Sequence, residues 1–274
     1  MLNDITFGQY YANDSFVHKM DPRAKLLILV TIIVFIFLAQ NAVALSLIAL
    51  LTFCGVFFSK VPLKMYLKNL KAILPILIFT LLINLFFTSN VNTQPSWSFE
   101  LFLGLTITNL SLYRAFYMAA RILLLIIISA ELTYTTTPND LTDAIENLLS
   151  PLKFIGLKNV VHTLAMMMTI ALRFIPTLIE ETQKIMNAQK ARGADLESGN
   201  LIERIKALIP ILIPLLISSV RRAYELAEAM ECRCYNGGEG KKRMKQLKYS
   251  TNDYTAFFIV FLVCATTIAV NFIL

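Results

Sequence analysis

Long apolar runs without a single charge dominate the first half of the chain and recur at its C-terminal end. The uncharged stretches are residues 26–59, 72–99 and 254–274. A membrane-spanning helix needs about 20 apolar residues, so the first stretch holds two short helices, with Gln40 and Asn41 at a tight turn between them. A further span is predicted at about 112–131, with Arg121 in its interior. The pattern therefore predicts four spans in the first half of the chain and a fifth at its end.

The composition supports a membrane protein. Hydrophobic residues make up 57% of the 274 residues and charged residues only 16%, whereas about a quarter of the residues in a soluble domain are charged. We predict an all-α integral membrane protein with about five transmembrane helices plus three cytoplasmic amphipathic or coupling helices. The polar first twenty residues lack the apolar core of a signal peptide, so the first span is the expected insertion signal.

The distribution of basic residues predicts the orientation. Lysines and arginines flank the first two spans at Arg23, Lys25, Lys60, Lys64, Lys68 and Lys71. Basic residues remain on the cytoplasmic side, so both flanks are expected inside, while the loop at 88–111, which has no Lys or Arg, is expected outside. We predict a multi-pass protein of the bacterial cell membrane. Its N-terminus and residues 137–250 are cytoplasmic, and its C-terminus is extracytoplasmic.

Charges return at helical spacing after the fourth span, which divides the chain into three parts. These are residues 1–136 with the first four spans, residues 137–250, and the last span at 251–274. In the middle part, Leu141 to Leu152 has one apolar face and follows Pro138, which suits the start of a helix. Two arms follow, each apolar first and charged afterwards. The first runs from Val160 to about Leu196 and is interrupted by Pro176, and the second is apolar at 207–220 and charged at 221–230.

The residues that enzymes, metal sites and disulfide frameworks require are scarce. The chain has two histidines and four cysteines, and the cysteines are interpreted as small buried residues. The tract Gly237 to Lys242 resembles a phosphate loop superficially, but the first glycine of that motif would fall at Tyr235. We therefore expect no catalytic site, cofactor, metal or nucleic-acid partner. Arg121 either faces a partner or cavity within the membrane or extends toward a membrane surface.

Each arm ends in an arginine between two small residues. The two tripeptides are Ala191-Arg192-Gly193 and Cys232-Arg233-Cys234, and their arginines are 41 residues apart. For Arg192 considered by itself, helix capping is a sufficient explanation, because a cation is favourable at a helix C-terminus and Gly193 suits the residue after the cap. Capping does not account for the repeat. Small neighbours leave a guanidinium group free to pair with carboxylates of a partner.

Several motifs in order along the chain carry a family resemblance. They are Gly8-Gln9-Tyr10, Asp14-Ser15, His18 to Lys25, Pro138 with Asp140-Leu141, Ala171 to Pro176, Ala188 to Asp195 and Ala229 to Tyr235. In these motifs the chain resembles the transmembrane (T) component of energy-coupling-factor transporters, the ATP-driven importers of vitamins and metal ions. The resemblance extends over nearly the whole chain.

The resemblance implies two long cytoplasmic coupling helices that cross in an X. The arginine of each would enter a groove of one of two ABC-type ATPase subunits, and these arginines would be Arg192 and Arg233. The flanking residues of this ATPase-coupling site are Ala191, Gly193, Cys232 and Cys234. The family motif is often Ala-Arg-Gly, so the cysteines are a departure from it. A small membrane substrate-binding subunit is also implied, held against the apolar helices of this chain in the lipid bilayer.

The alternative function is a self-contained secondary transporter of a small solute. Such a carrier needs ionisable residues within its spans, and Arg121 is the clear one in this sequence. An intramembrane enzyme is disfavoured by the two histidines, and an ordinary ABC permease has a single coupling helix in each subunit. The sequence leaves open which substrate is imported and whether the two ATPases are identical or form a heterodimer.

Overall fold

The computed structural model describes residues 10–87, 98–101, 105–150, 158–194, 201–236 and 247–273. Eight helices are present in these residues: α1 (Pro22–Leu38), α2 (Ala42–Ser59), α3 (Leu63–Phe87), α4 (Asn109–Thr135), α5 (Pro138–Leu148), α6 (Lys158–Ala191), α7 (Leu201–Cys232) and α8 (Thr251–Ile273). The prediction of a helical membrane protein is confirmed. The described residues form two compact units, 9–137 with 247–274, and 138–246.

One short hairpin departs from the all-α prediction. Strand β1 (Ser98–Leu101) pairs antiparallel with β2 (Leu105–Thr108), and Ser98 lies opposite Thr108. The hairpin lies in the segment 88–111 that the sequence pattern assigns to an extracytoplasmic loop. Its second strand is rich in the β-branched residues that favour strands. The apolar pattern of the flanking spans gave no indication of it.

Within the part of the chain that the structure describes, five helices are long and apolar enough to cross a membrane, which matches the predicted number. They are α2, α3, α4, α8 and residues 160–191 of α6. Helix α1 is absent from this set because it has 17 residues, which is the lower limit for a span. Helix α6 joins the set because its first half is apolar and carries few charges. Helix α1 therefore remains a predicted span.

The core of the first unit lies between α1, α2, α4 and α8. Ile32 and Ile36 of α1 pack with Ile48 of α2, Ile128 of α4 and Val260 of α8. Helix α3 packs against α4. There the Tyr66 and Tyr134 rings meet edge to face with their centroids 5.3 Å apart. The apolar residues that the sequence assigns to spans thus provide both the interior of this unit and its exposed faces.

Two buried aspartates join the start of α1 to the start of α8. Asp21 caps α1, since its carboxylate accepts from the Arg23 backbone N–H at 2.9 Å and from the Arg23 guanidinium at 2.8 and 3.1 Å. Asp253 is fully buried and accepts from the backbone N–H groups of Asp21 at 2.9 Å and Ser250 at 2.7 Å. The bond from the Ser250 N–H to the Asp253 carboxylate is one half of a capping box at the start of α8, and the Ser250 hydroxyl accepts from the Asn252 N–H at 3.4 Å. This network gives the Asp21-Pro-Arg23 motif a structural role.

The N-terminal segment is fastened to the end of α4. The Tyr11 N–H donates to the Tyr134 carbonyl at 3.0 Å, and the Lys25 ammonium donates to the Thr135 carbonyl at 2.8 Å. The His18 ring lies between the Tyr11 carbonyl, 2.8 Å from Nε2, and the Ser15 hydroxyl, 2.6 Å from Nδ1. A carbonyl only accepts, so Nε2 carries the proton and Nδ1 accepts from Ser15. Residues of the His18 to Lys25 motif therefore hold the ends of several helices together.

Arg121 lies in the middle of α4, and its guanidinium group reaches the C-terminal end of α1. Its Nη2 donates to the Ala39 carbonyl at 2.6 Å, in the turn between α1 and α2, and Tyr117 donates to the same carbonyl at 2.7 Å. A cation near the C-terminus of a helix is favourable. The contact joins α4 to the turn between α1 and α2, and the two alternatives for Arg121 stay predictions.

The interpretation of the cysteines as buried residues is wrong for three of the four. Cys264 is buried, whereas Cys54, Cys232 and Cys234 are exposed. The difference arises because Cys54 lies on an outward-facing side of α2, and the other two follow the packed part of α7. The four thiols, all within the described residues, form no disulfide.

Candidate coupling site

The second unit consists of α5 and the two long arms, α6 and α7. Helix α6 contacts both α5 and α7. It has 34 residues and continues through Pro176, while α7 has 32 residues and continues through Pro210 and Pro214. The expected interruption at Pro176 is therefore wrong. Proline removes one helical hydrogen bond and commonly kinks a helix, and the helix-favouring residues on both sides continue the arm.

Helix α5 starts at Pro138 as predicted. Its Glu146 carboxylate lies 3.2 Å from Nδ1 of His162 on α6, which connects the first arm to the short helix. Thr142 and Ala144 are buried, with 2% and 0% of their surface exposed. These small residues allow another backbone to approach α5 closely. The helix therefore supports the first arm along part of its length.

The end of α6 is a Schellman motif centred on Arg192. The Ala194 N–H donates to the Gln189 carbonyl and the Gly193 N–H to the Lys190 carbonyl, both at 3.0 Å. Gly193 has φ +86°, the left-handed conformation that this motif needs after the cap. The prediction of Gly193 as the residue that follows the cap agrees with this geometry. Arg192 is the cap residue itself.

The end of α7 repeats this geometry at Arg233. The Tyr235 N–H donates to the Met230 carbonyl at 3.1 Å and the Cys234 N–H to the Glu231 carbonyl at 2.8 Å. Cys234 has φ 53° and occupies the position that Gly193 has in the first arm. The sequence also predicts that Gly237, Gly238 and Gly240 end this arm, and these glycines lie outside the described residues. The arm ends earlier, at the Cys232-Arg233-Cys234 motif.

The two predicted coupling arginines thus occupy the same backbone position at the ends of two different helices. Both are exposed, as are Ala191, Gly193, Cys232 and Cys234. Among the described residues, neither guanidinium group makes a hydrogen bond or an ion pair. Two exposed arginines on identical helix ends can bind acidic groups of a partner through paired hydrogen bonds. The structure does not bring them together into one pocket.

A polar contact joins the two arms away from their ends. The Glu181 carboxylate of α6 is 2.6 Å from Nη2 of Arg222 on α7, and it also accepts from the Ser218 hydroxyl. Farther along, the Gln189 amide donates to the Pro210 carbonyl at 3.3 Å. The sequence patterns did not predict this contact. The contact depends on how the two arms meet, which the pattern within either arm does not indicate.

Apolar side chains cover the exposed face of the first half of α7. Its large exposed residues are Ile202, Ile205, Leu208, Ile209, Leu212, Ile213, Leu216, Ile217 and Val220. Val160, Leu164, Met167 and Met168 are also exposed near the start of α6. An apolar surface of this extent indicates contact with lipid or with another protein. Among the described residues, no group of three or more His, Cys, Asp or Glu side chains could hold a metal ion.

Comparison with known proteins decides the family. The family model described as cobalt transport protein matches residues 13–245. The energy-coupling factor transporter transmembrane protein of Ruminiclostridium cellulolyticum is 52% identical over 264 residues, which are 96% of each chain. The chain belongs to the family of energy-coupling factor transporter transmembrane proteins. The corresponding protein of Clostridium kluyveri is 50% identical over 93% of each chain. That of Lactococcus lactis is 44% identical over 92% of each chain.

Membership confirms the resemblance drawn from the motifs and gives the two arms a context. The matched region includes both arms and both arginines. A transmembrane component of an energy-coupling factor transporter is a multi-pass membrane protein, as the apolar helices of this chain indicate. Secondary transport by this chain alone is not favoured. The assignment of Arg192 and Arg233 to ATPase contacts remains a prediction.

Proposed function

We propose that the chain is the scaffold and coupling subunit of an ATP-driven importer of vitamins or other micronutrients. One observation carries this proposal: two helices end in the same Schellman geometry, each with an exposed arginine at the cap. Helix capping alone requires no cation at either position. The repetition is the arrangement expected of a subunit that engages two related partners.

Each arginine binds a carboxylate-lined groove on one ABC-type ATPase subunit. Gly193 has no side chain, and Ala191, Cys232 and Cys234 are small, so a groove wall can approach the guanidinium closely. Paired hydrogen bonds between guanidinium and carboxylate fix direction as well as position. When the ATPases bind ATP and close, the two arm ends move with them. The arms differ in the residues beside the arginine, which suits a pair of different ATPases as well as identical ones.

The apolar faces of the arms contact a small membrane substrate-binding subunit. Leu212 and Leu216 represent this surface, with 57% and 66% of their area exposed. An apolar groove that receives apolar helices is a common mode of helix recognition. Movement of the arms would then change the orientation of that subunit in the bilayer. In this arrangement substrate choice belongs to the partner, and this chain supplies no catalytic site.

The test is purification of the tagged chain from its native membrane in mild detergent. Wild type is compared with the double variant Arg192→Ala/Arg233→Ala, and the co-purifying proteins are identified by mass spectrometry. The double variant Lys184→Ala/Arg221→Ala is the control, since it removes two exposed positive charges from the same arms away from their ends. ATP hydrolysis is assayed on each preparation.

We expect wild type and the control to bring down P-loop ATPases and a small membrane protein. The Arg192→Ala/Arg233→Ala variant should lose the ATPases. Loss of one buried charge-assisted contact costs about 2–5 kcal/mol, which is a weakening of roughly thirtyfold or more for each arginine. Purification of wild type without any ATPase, together with transport by this chain alone in liposomes, would contradict the proposal and support a secondary carrier.

A further inference from the structure

The contact between Glu181 and Arg222 lies at the same distance from both coupling arginines. Glu181 precedes Arg192 by eleven residues, and Arg222 precedes Arg233 by eleven residues. At 1.5 Å per residue, each arm extends about 16 Å beyond the contact. Eleven residues are close to three helical turns, so in each arm the residue of the contact and the arginine lie on nearly the same helix face.

The arms run in opposite directions at this contact. Toward the end of α6, Gln189 contacts Pro210, which lies toward the start of α7 relative to Arg222. Farther from the end of α6, Glu181 contacts Ser218 and Arg222. This pairing is antiparallel. The two arginines therefore extend from the contact in opposite directions, by equal lengths.

The polar groups at the contact are partly shielded from water. The side chains of Glu181 and Arg222 retain 19% and 29% of their exposed area. Each Glu181 oxygen has its own partner, Ser218 on one and Arg222 on the other. Ion pairs that are fully exposed contribute little, but this shielded carboxylate accepts one hydrogen bond from Ser218 and forms an ion pair with Arg222, both on the neighbouring helix, and these contacts resist sliding of one helix along the other. Rotation about the contact disturbs these bonds far less than sliding does.

We propose that Glu181 and Arg222, with Ser218, form the pivot about which the two arms rotate when the ATPases close. This inference rests on the proposed coupling function. The pair is a positioning element: it prevents the arms from sliding, so that displacement of the two ends becomes rotation of the arms at the membrane. Without it, the ends still bind the ATPases, but their movement is absorbed by sliding between α6 and α7.

The experiment uses the purified complex of the chain with its ATPases and membrane subunit in nanodiscs. Spin labels are placed at Asn187→Cys and Glu228→Cys, two exposed arm positions, after the four native cysteines are changed to alanine. The distance between the labels is measured without nucleotide and with ATP. The variants are Glu181→Gln, Arg222→Gln, their combination, and Ser218→Ala as a milder change that removes only a hydroxyl group.

A matched control exists one position away on each arm. Glu180 and Arg221 are exposed, and Glu180→Gln with Arg221→Gln alters the same charges without touching the contact. We expect this control to show the ATP-dependent distance change of wild type. Glu181→Gln and Arg222→Gln should each lose at least half of that change and broaden the distance distribution. The combined variant should be no worse than the more affected single variant, because both remove one interaction. Ser218→Ala should show a smaller loss.

Retention of the ATPases separates this proposal from the coupling function itself. All pivot variants should co-purify with the ATPases in wild-type amounts, which also shows that they fold. If Ser218→Ala and both single variants keep the wild-type distance change, or if the effects of the single variants add, the pivot is wrong while the coupling function stands. If wild type itself brings down no ATPase, the coupling function fails first.

Discussion

Arg192 and Arg233 occupy equivalent cap positions, but the residues that follow them differ in conformational cost. Gly193 adopts φ +86° freely, and an added Cβ at this position would meet nothing within 4 Å. Cys234 adopts φ 53°, which costs a residue with a Cβ about 1–2 kcal/mol. The second arm thus ends in a strained residue, whereas the first does not.

Cys234→Gly is predicted to stabilise the end of α7 by about 1 kcal/mol, and Gly193→Ala to destabilise the end of α6 by a similar amount. Cys232→Gly is the matched control, since Cys232 is helical and glycine there is expected to cost about 0.3 kcal/mol relative to cysteine. Hydrogen exchange of the amides at 230–235 measures the effect. Slower exchange in Cys234→Gly and faster exchange in Cys232→Gly are expected, and equal effects of the two would contradict the strain.

The environment of His18 predicts how the stability of the protein depends on pH. Burial lowers the pKa of His18, the bond to the Tyr11 carbonyl opposes this, and the Lys25 charge lowers the pKa further. The folded pKa therefore lies below the unfolded value of about 6.5. Between these two values the unfolded state binds more protons, so stability is lost as the pH falls below about 6.5.

The measurement is thermal unfolding of the purified chain in detergent, followed by circular dichroism from pH 7.5 to 5.0. We expect the midpoint to fall with pH in wild type and to fall less in His18→Gln, which keeps a side-chain donor but does not titrate. An identical pH dependence in the two proteins would show that His18 does not contribute. A midpoint that rises as the pH falls would contradict a lowered pKa of His18 in the folded protein.

At the scale of elements, hydrophobic length and cap chemistry could be read from the sequence, but side-chain contacts between helices could not. Pro138 and Gly193 marked a helix start and a helix end correctly, because their backbone preferences are local. Pro176 suggested a break that did not occur, since neighbouring residues continued α6 through it. The Glu181–Arg222 contact depends on how two arms meet, and no periodicity within one arm contains that information.

The exposed apolar half of α7 is predicted to contact the small membrane subunit. Leu212→Gln/Leu216→Gln should reduce co-purification of the small membrane subunit severalfold while the ATPases remain bound, because burying unpaired amides in an apolar interface is unfavourable. Leu212→Met/Leu216→Met keeps the surface apolar and serves as the control. The amounts are compared by quantitative mass spectrometry. Equal retention of the membrane subunit in both variants would assign this face to lipid alone.

For the molecule as a whole, the sequence predicted the number of long apolar helices correctly, but it did not predict all of their positions correctly. Helix α1, with 17 residues, lies at the lower length limit for a span, whereas α6 has 34 residues but is apolar mainly in its first half. The hairpin at 98–108 was missed because strand pairing depends on two short segments that carry little pattern. The polar network of Asp21 and Asp253 connects residues 232 positions apart, and a single sequence shows no such connection.

The predicted orientation can be tested with exposed thiols. The native Cys232 and Cys234 are exposed, and Ala42→Cys, in a chain with the other cysteines removed, places a thiol beside the turn between α1 and α2. A membrane-impermeant maleimide applied to intact spheroplasts should label Ala42→Cys and leave Cys232 and Cys234 unlabelled. Inside-out vesicles should give the reverse result. Labelling of Cys232 and Cys234 in intact spheroplasts would place the arms outside and contradict coupling to cytoplasmic ATPases.

Site-specific photo-crosslinking tests whether the ends of the two arms contact the ATPase subunits. Benzoylphenylalanine is placed at Ala191 or Cys232, beside each arginine, and at Phe272 near the end of α8, which is 93% exposed, as the control. After illumination of native membranes, we expect crosslinks from positions 191 and 232 to P-loop ATPase subunits and none from position 272. Crosslinks from the two arm ends only to lipid or to this chain, in membranes that contain the ATPases, would contradict this expectation.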